Sequence, residues 1–435
     1  LWAPDQERIE NSRMFEFARV CERKTDRTFP DYAALHAWSV DEREEFWSCI
    51  WDYCGVVGEK GDTVLADGDR MPGARFFPES RLSFAENLLR KTGPELAIVF
   101  RGEDKVELTV TWDELHGMVS RLQQAFADAG VKEGDRIAAM VPNRPESIAC
   151  MLAANSLGAI FSSCSPDFGE QGVLDRFGQI EPVLFIACDG YWYNGKQQDV
   201  SQKVANIAEK LPSRQTIIIS YLGNADAVAS TVVGGVSFEN AIAPYTARPL
   251  TFCRLPFDHP LYILFSSGTT GVPKCIVHSQ GGVLLQHLKE HFLHCGIWPG
   301  DRVFYFTTCG WMMWNWLVTA LAAEATVVLY DGSPFYPDGN AVFDYVQNQE
   351  ITFFGTSAKF IDAVRNQGLR PIDTHDLSRV KTIASTGSPL SPENFDFVYD
   401  GIKKDVHLAS VSGGTDIAAC FVAAVPWNPV YSGEI

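Results

Sequence analysis

From about residue 96 onward the chain alternates short apolar runs of strand length with stretches of helical periodicity. Residues 136–141 read as a buried strand, 145–156 as a helix with proline in its first turn, 159–163 as strand, 170–179 as helix and 183–187 as strand. Further apolar runs follow at 216–220, 261–265, 275–277, 303–308, 325–330, 351–356, 381–386 and 406–411. Continuous apolar strands separated by helices require parallel sheets with both faces covered. There are too many strands for one modest sheet. The expected fold class is therefore α/β, with two doubly wound, mainly parallel-sheet subdomains. Thr111-x-x-Glu114 is a capping box opening a helix that ends near Gly130. Residues 1–95 read as a helical accessory segment, and 96–435 as the main body. In the accessory segment, Ser39-x-x-Glu42 predicts the start of a helix carrying Phe46, Trp47, Ile50 and Trp51 on one face, an aromatic stripe that fits core packing.

One apolar run leads into the most distinctive stretch of the chain. Residues 262–265 are followed by Ser266-Ser267-Gly268-Thr269-Thr270-Gly271-Val272-Pro273-Lys274. Glycines let a backbone fold back so that its N–H groups converge on an anion. Ser266, Ser267, Thr269 and Thr270 add hydroxyl donors, and Lys274 adds a point charge. A Ser/Gly linker is the bland alternative. It fits poorly, because strand-like runs flank the loop on both sides.

Two other stretches imitate known motifs. Residues 190–197 nearly satisfy the Walker phosphate loop, but Gln197 stands where a Ser or Thr must hold Mg²⁺, and bulky aromatics stand where a phosphate nest needs small residues. His287-x-x-Glu290-His291 matches the inverted zinc-peptidase order, with His294 on a similar helix face as a third candidate ligand. Matches of this length arise often by chance, so a polar helix face is expected there, without zinc. His278 is expected in the core or behind the site.

The order Ser-Ser-Gly-Thr-Thr-Gly-x-Pro-Lys resembles the phosphate loop of the acyl-adenylate-forming enzymes: acyl-CoA synthetases, luciferases and peptide-synthetase adenylation domains. The resemblance implies that residues 266–271 and Lys274 bind the phosphates of ATP. Three further segments are similar to that family. Gly387, Ser388 and Pro389 match a loop that borders the adenine. Thr415 and Asp416 match a Thr-Glu pair whose threonine contacts the α-phosphate and whose acid helps hold Mg²⁺. Here Asp416 is one methylene shorter, which leaves room for a water between carboxylate and metal. Trp311 and Met312 match the Gly-Trp segment that lines the acyl pocket, whereas Trp314 and Trp316 read as core. Synthetases for acetate carry a tryptophan in the loop corresponding to residues 410–416; Gly413 and Gly414 stand here instead, which implies room for a longer acyl group. Together with the segments at 165–168, 193–196, 287–291 and 385–389, the pattern is most similar to the branch of the family that takes acetoacetate. By the same resemblance Lys196 is a candidate CoA contact, with an exposed loop lysine as its alternative.

The resemblance thus implies a two-step ligation with ATP, Mg²⁺ and CoA, in which acetoacetate is first adenylated. Another short acid (acetate, propionate or butyrate) is the near alternative, and a zinc peptidase built on His287 and His291 is the remote one. The net charge of −18 disfavours nucleic acid and anionic membranes as partners. Eleven cysteines without Cys-x-x-Cys pairs suggest a reducing, cytoplasmic setting. Both chain ends look cut, with Gly433-Glu434-Ile435 reading as the start of a strand. In the family, a mobile C-terminal domain and the residues that complete adenylation lie beyond such a point. The expectation is that the chain as it stands turns over slowly or not at all.

Overall fold

The structure, a computed structural model, describes residues 1–266 and 271–435. The N-terminal part contains helices α1 (Tyr32–Asp41) and α2 (Arg43–Tyr53), and below them several two-residue strands as well as helix. The break between α1 and α2 falls at Glu42, not at the predicted cap. Ser39 lies inside α1, and its hydroxyl donates to the His36 carbonyl at 2.7 Å. Serine competes for backbone carbonyls from within helices as readily as it caps them. The aromatic stripe behaves as expected: Phe46, Ile50 and Trp51 are buried and Trp47 packs against the same cluster.

The main body begins with a hairpin, β1 (Leu96–Gly102) and β2 (Val106–Thr111), leading into α3 (Trp112–Asp128). Both capping-box bonds are present: Thr111 N–H donates to Glu114 Oε2 at 2.8 Å, and Glu114 N–H donates to Thr111 Oγ1 at 3.2 Å. Past the end of α3, Gly130 takes a left-handed φ of 82° that suits only glycine well. Next come β3 (Arg136–Met140), α4 (Pro145–Ser156), β4 (Ile160–Cys164), α5 (Glu170–Phe177) and β5 (Leu184–Cys188). Then follow a hairpin of β6 (Gly190–Tyr193) and β7 (Lys196–Asp199), and strands β8 (Gln215–Ile219), β9 (Gly235–Ser237), β10 (Pro260–Ser266) and β11 (Lys274–Ser279). The last of these runs directly into α6 (Gln280–Lys289).

These strands build one seven-stranded sheet in the order β9–β8–β5–β3–β4–β10–β11, parallel except for the β10–β11 edge pair. The remaining strands are β12 (Arg302–Tyr305), β13 (Thr326–Asp331), β14 (Phe353–Ser357), β15 (Thr382–Thr386) and β16 (His407–Ser410), with α7 (Met312–Thr319) after β12. They join the first hairpin in a second seven-stranded sheet, β16–β15–β14–β12–β13–β1–β2, parallel except for β1–β2. Helix α4 is buried along its whole length apart from Glu146, and it packs on strands of both sheets. That explains why its apolar residues run all round instead of forming a stripe. The strand reading of the sequence thus meets two mainly parallel sheets, each finished by one antiparallel edge.

Two departures bear on the site. After β16 the chain does not simply loop: β17 (Ser412–Gly414) pairs antiparallel with β18 (Ala419–Val422). Residues 433–435 form no strand.

Candidate active site

In both sheets the parallel strands end at a shared cleft, the position at which doubly wound sheets bind ligands. Ser266 closes β10, and directly across the ladder from it Lys274 opens β11. Gly271 follows in the same loop, and no atom of the described residues outside its chain neighbours lies within 4 Å of where its side-chain carbon would be. Ser267, Gly268, Thr269 and Thr270 lie outside the described residues.

Around this strand end is a cavity of about 490 Å³ bordered by Ser266, Arg176, Phe168, Trp311, Met312, Thr415 and Asp416. A second cavity, of about 320 Å³, is bordered by Gly387, Ser388, Pro389, Gly413 and Gly414, and again by Trp311, Met312 and Thr415. The shared walls make the two cavities neighbours. The end of the glycine-hydroxyl loop and the paired glycines therefore border one cleft.

Each strand end positions its part by local chemistry. Gly387 follows β15 with a φ of 90°, and the preceding Thr386 hydroxyl donates to the Val411 carbonyl at 2.9 Å, tying that loop to the next strand end. Trp311 caps the start of α7 and is 67% exposed, so its indole faces the cleft mouth. Trp314 and Trp316 are core instead: their indole N–H groups donate to Asn143 at 3.0 Å and to the buried Glu290 at 2.8 Å. The two glycines differ. A side-chain carbon on Gly413 would collide with the Ala419 carbonyl across the β17–β18 hairpin, whereas one on Gly414 would meet only Asp416 atoms at 3.9 Å. The open space of the second cavity is therefore at Gly414. Asp416 is exposed and has no hydrogen-bond or ion-pair partner among the described residues.

Lys196 stands apart from both cavities. It is an exposed residue at the start of β7. The near-Walker stretch is the β6–β7 hairpin itself, turning at Asn194 (φ 53°) and Gly195 (φ 74°). The buried Glu103 carboxylate accepts from both turn N–H groups, at 2.6 and 2.8 Å. An anion of the protein's own thus occupies the place where a phosphate would sit.

The histidines of α6 and of the turn after it are equally committed. His287 bonds Thr319 Oγ1 at 2.9 Å and the Ala418 carbonyl at 2.7 Å, His291 bonds the Trp316 carbonyl at 2.9 Å, and His294 bonds the Ala424 carbonyl at 2.9 Å. Imidazoles already donating to carbonyls of a turn, a helix and a loop do not converge on a metal. Among the described residues no group of three His, Cys, Asp or Glu side chains could hold one.

Sequence reasoning overlooked Arg176. Its guanidinium lies over the Phe168 ring at 4.8 Å, donates to the Gly172 carbonyl at 2.6 Å and borders the first cavity. The available signal was its place on the helix that follows the C-terminal end of β4.

Burial sets the protonation states near the site. It pushes the Cys420 thiol up to about 12, which keeps it a neutral wall residue. It pushes His291 down to about 3, and His294 and His407 down to about 4. These folded values lie below the unfolded value of 6.5, so no stability is lost above that pH. As pH falls from 6.5 toward 4, only the unfolded chain gains protons and the fold weakens. Asp331, raised by burial to about 6, works in the opposite direction below pH 6, but it is one group against three. The melting midpoint measured by circular dichroism is expected to fall steadily between pH 6.5 and 4.5, by an amount corresponding to several kcal/mol at about 1.4 kcal/mol per unit and group. A flat profile would contradict the burial of these histidines.

The chain is similar to known proteins in both sequence and fold. Residues 86–433 match the AMP-binding enzyme family, and residues 32–88 match the acetyl-coenzyme A synthetase N-terminus. The chain is 63% identical over 435 residues to an acetoacetyl-coenzyme A synthetase of Rhizobium meliloti, covering all of this chain and 67% of that protein. It belongs to the AMP-binding enzymes, among the acetoacetyl-CoA synthetases. An acetoacetyl-CoA synthetase of Danio rerio is 42% identical, with all of this chain and 66% of that protein covered. A solved acetoacetyl-CoA synthetase from Streptomyces lividans superposes with a TM-score of 0.94 at 41% identity, covering 100% of this chain and 67% of that one. The chain spans about two thirds of the length of these relatives. Membership in this family accounts for the two mainly parallel sheets and for a cleft built from the loops at their strand ends. Among the described residues, no helix is long and apolar enough to cross a membrane.

Proposed function

We propose that this chain forms the ATP- and acid-binding body of an acetoacetate–CoA ligase. The acetoacetate carboxylate attacks the α-phosphorus of ATP, forming the acyl–phosphate bond while the bond to pyrophosphate breaks. The CoA thiol then attacks the acyl carbonyl and AMP leaves. The observation that carries this reading is the single cleft bordered by Ser266, Thr415 and Asp416 on one side and by Gly387, Trp311 and Gly414 on the other.

Residue roles follow from that placement. Ser266, Gly271 and Lys274, with residues 267–270 between them, hold the phosphates and neutralise charge as the P–O bond breaks. The Thr415 hydroxyl donates to the α-phosphate. Gly387, Ser388 and Pro389 border the adenine. Trp311, Met312 and Gly414 enclose the acyl chain, and Gly413 keeps the hairpin closed beside it. Holding the two anions against each other supplies much of the rate, since no protein nucleophile is needed. Lys196 is proposed as a contact for the CoA nucleotide. Asp416 suits Mg²⁺: it is a hard oxygen donor with no partner among the described residues, and Mg²⁺ takes one or two carboxylates and fills its remaining positions with phosphate oxygens and water. When bound with ATP, the ion would neutralise phosphate charge. Free thiols at all eleven cysteines favour the reducing cytoplasm. The 32–88 match supports an accessory N-terminal segment ahead of the nucleotide-binding body.

The test is ATP-dependent pyrophosphate release by the protein expressed from its natural gene, with acetate, propionate, butyrate and acetoacetate compared. Acetoacetate is expected to give the highest kcat/KM. Equal or better use of butyrate would overturn the assignment.

A further inference from the structure

The hairpin that carries Thr415, Asp416 and both glycines is attached to the body in an unusual way. Its backbone bonds are internal to the segment, running between β17 and β18 and through the turn from Gly414 to Ala418. Among the described residues, every hydrogen bond that leaves residues 412–424 ends on one of four side chains, all from the β11–α6 unit and the turn after it. His278 Nε2 donates to the Thr415 carbonyl at 2.7 Å, and His287 Nε2 donates to the Ala418 carbonyl at 2.7 Å. Glu290 Oε1 accepts from Cys420 N–H at 3.0 Å, and His294 Nδ1 donates to the Ala424 carbonyl at 2.9 Å. His278, His287 and Glu290 are buried.

The order along the two partners matches: 278, 287, 290 and 294 meet 415, 418, 420 and 424. The clamp therefore fixes register as well as distance. Residue 278 lies four positions after Lys274 on the same strand. The element that leaves the phosphate loop is thus the element that holds the opposite wall of the cleft. Burial keeps His278 and His287 neutral, with one ring nitrogen left to donate.

We propose that His278 is a positioning residue for the ligase reaction. By holding the Thr415 carbonyl it sets where the Thr415 hydroxyl and the Asp416 carboxylate stand, with His287, Glu290 and His294 fixing the acyl-pocket side of the same hairpin. This rests on the ligase reading above. A lost anchor leaves the half-buried Thr415 carbonyl without its donor, and the hairpin shifts to find one. ATP, whose α-phosphate takes the Thr415 hydroxyl, and the acyl-adenylate both feel this shift.

Calorimetry on the 435-residue chain with a non-hydrolysable acetoacetyl-sulfamoyl adenylate and, separately, with ATP tests the proposal. His278→Ala is expected to weaken both ligands by about tenfold. His278→Gln, which keeps a side-chain N–H, is expected to restore most of the loss. In His278→Ala, amide exchange of residues 412–424 is expected to rise while α6 stays protected. Unchanged affinity for both ligands, or no rescue by glutamine over alanine, would reduce His278 to a general packing role and overturn the proposal. A parent chain that fails to bind the analogue would instead overturn the ligase reading, and this inference with it.

Discussion

Gly414→Trp is expected to turn the protein against acetoacetate and toward acetate, shifting the ratio of their kcat/KM values by roughly a hundredfold or more. The geometry permits the substitution. A side-chain carbon at 414 meets nothing nearer than two Asp416 atoms at 3.9 Å, in a cavity it shares with Trp311 and Met312. An indole placed there removes the volume that the outer carbons of a four-carbon acid need. Each methylene in such a pocket is worth about 1–3 kcal/mol, so excluding two carbons suffices for the predicted shift. Gly413→Ala is the control, and its expected result is different. A methyl there collides with the Ala419 carbonyl and lies 2.9 Å from the Cys420 Cα, so the hairpin must open. That variant is expected to lose activity toward every acid alike, with a lowered melting midpoint. Pyrophosphate release across the four acids separates the two cases. If Gly414→Trp kept the parental preference, the acyl chain would have to lie elsewhere in the cleft.

The difference between the two glycines shows where sequence reading stops. The pair stood out as an absence of bulk, and that reading applied equally to both positions. Only the pairing of β17 with β18 reveals that one glycine is needed by the backbone and the other leaves space. The hairpin escaped notice because Ser-Gly-Gly has little intrinsic preference for strand, and its pairing partner is set by tertiary contacts. The parallel strands were legible for the opposite reason. Strands such as β3 and β5 are covered on both faces, so each is a near-continuous apolar run that few other structures tolerate. Capping behaved both ways. Thr111-x-x-Glu114 forms a reciprocal box, while Ser39-x-x-Glu42 matches the pattern and sits inside a helix.

Motif spelling proved weakest where polar groups serve the protein itself. The near-Walker turn is gripped by Glu103, and the zinc-like histidines are spent on carbonyls. Both partners lie far away in sequence, Glu103 some ninety residues before the turn it holds and Ala418 more than a hundred after the histidine it meets. Local spacing carries no trace of either. The sequence did, however, bring Ser266, Gly387, Trp311, Gly414 and Asp416 together as candidates, because each follows a recognisable strand or resembles a family segment. Their convergence on one cleft is a consequence of strand ends sharing one side of two sheets.

The second large effect is expected at Asp416. Asp416→Ala should lower the rate of acetoacetate-dependent pyrophosphate release by about 10²–10³, the range typical of removing one group that stabilises developing charge. The carboxylate stands exposed beside Thr415 at the wall of the first cavity, with no partner among the described residues. Its removal therefore breaks no hydrogen bond of the fold, and the neighbouring Thr415 carbonyl stays anchored by His278. The melting midpoint should accordingly hardly move. Asp416→Asn keeps the shape and one oxygen but loses the charge, and it should behave nearly as alanine does if charge on the metal side is what matters. Asp416→Glu extends the reach by one methylene and is expected to stay within about tenfold of the parent, since Mg²⁺ accepts a carboxylate either directly or through one of its waters. A Mg²⁺ titration gives the decisive measurement. For alanine and asparagine, the half-saturating Mg²⁺ concentration at fixed ATP should rise along with the fall in rate. Rates that fall with an unchanged Mg²⁺ dependence would mean that Asp416 acts on the substrate directly. Unchanged rates would remove it from the site altogether.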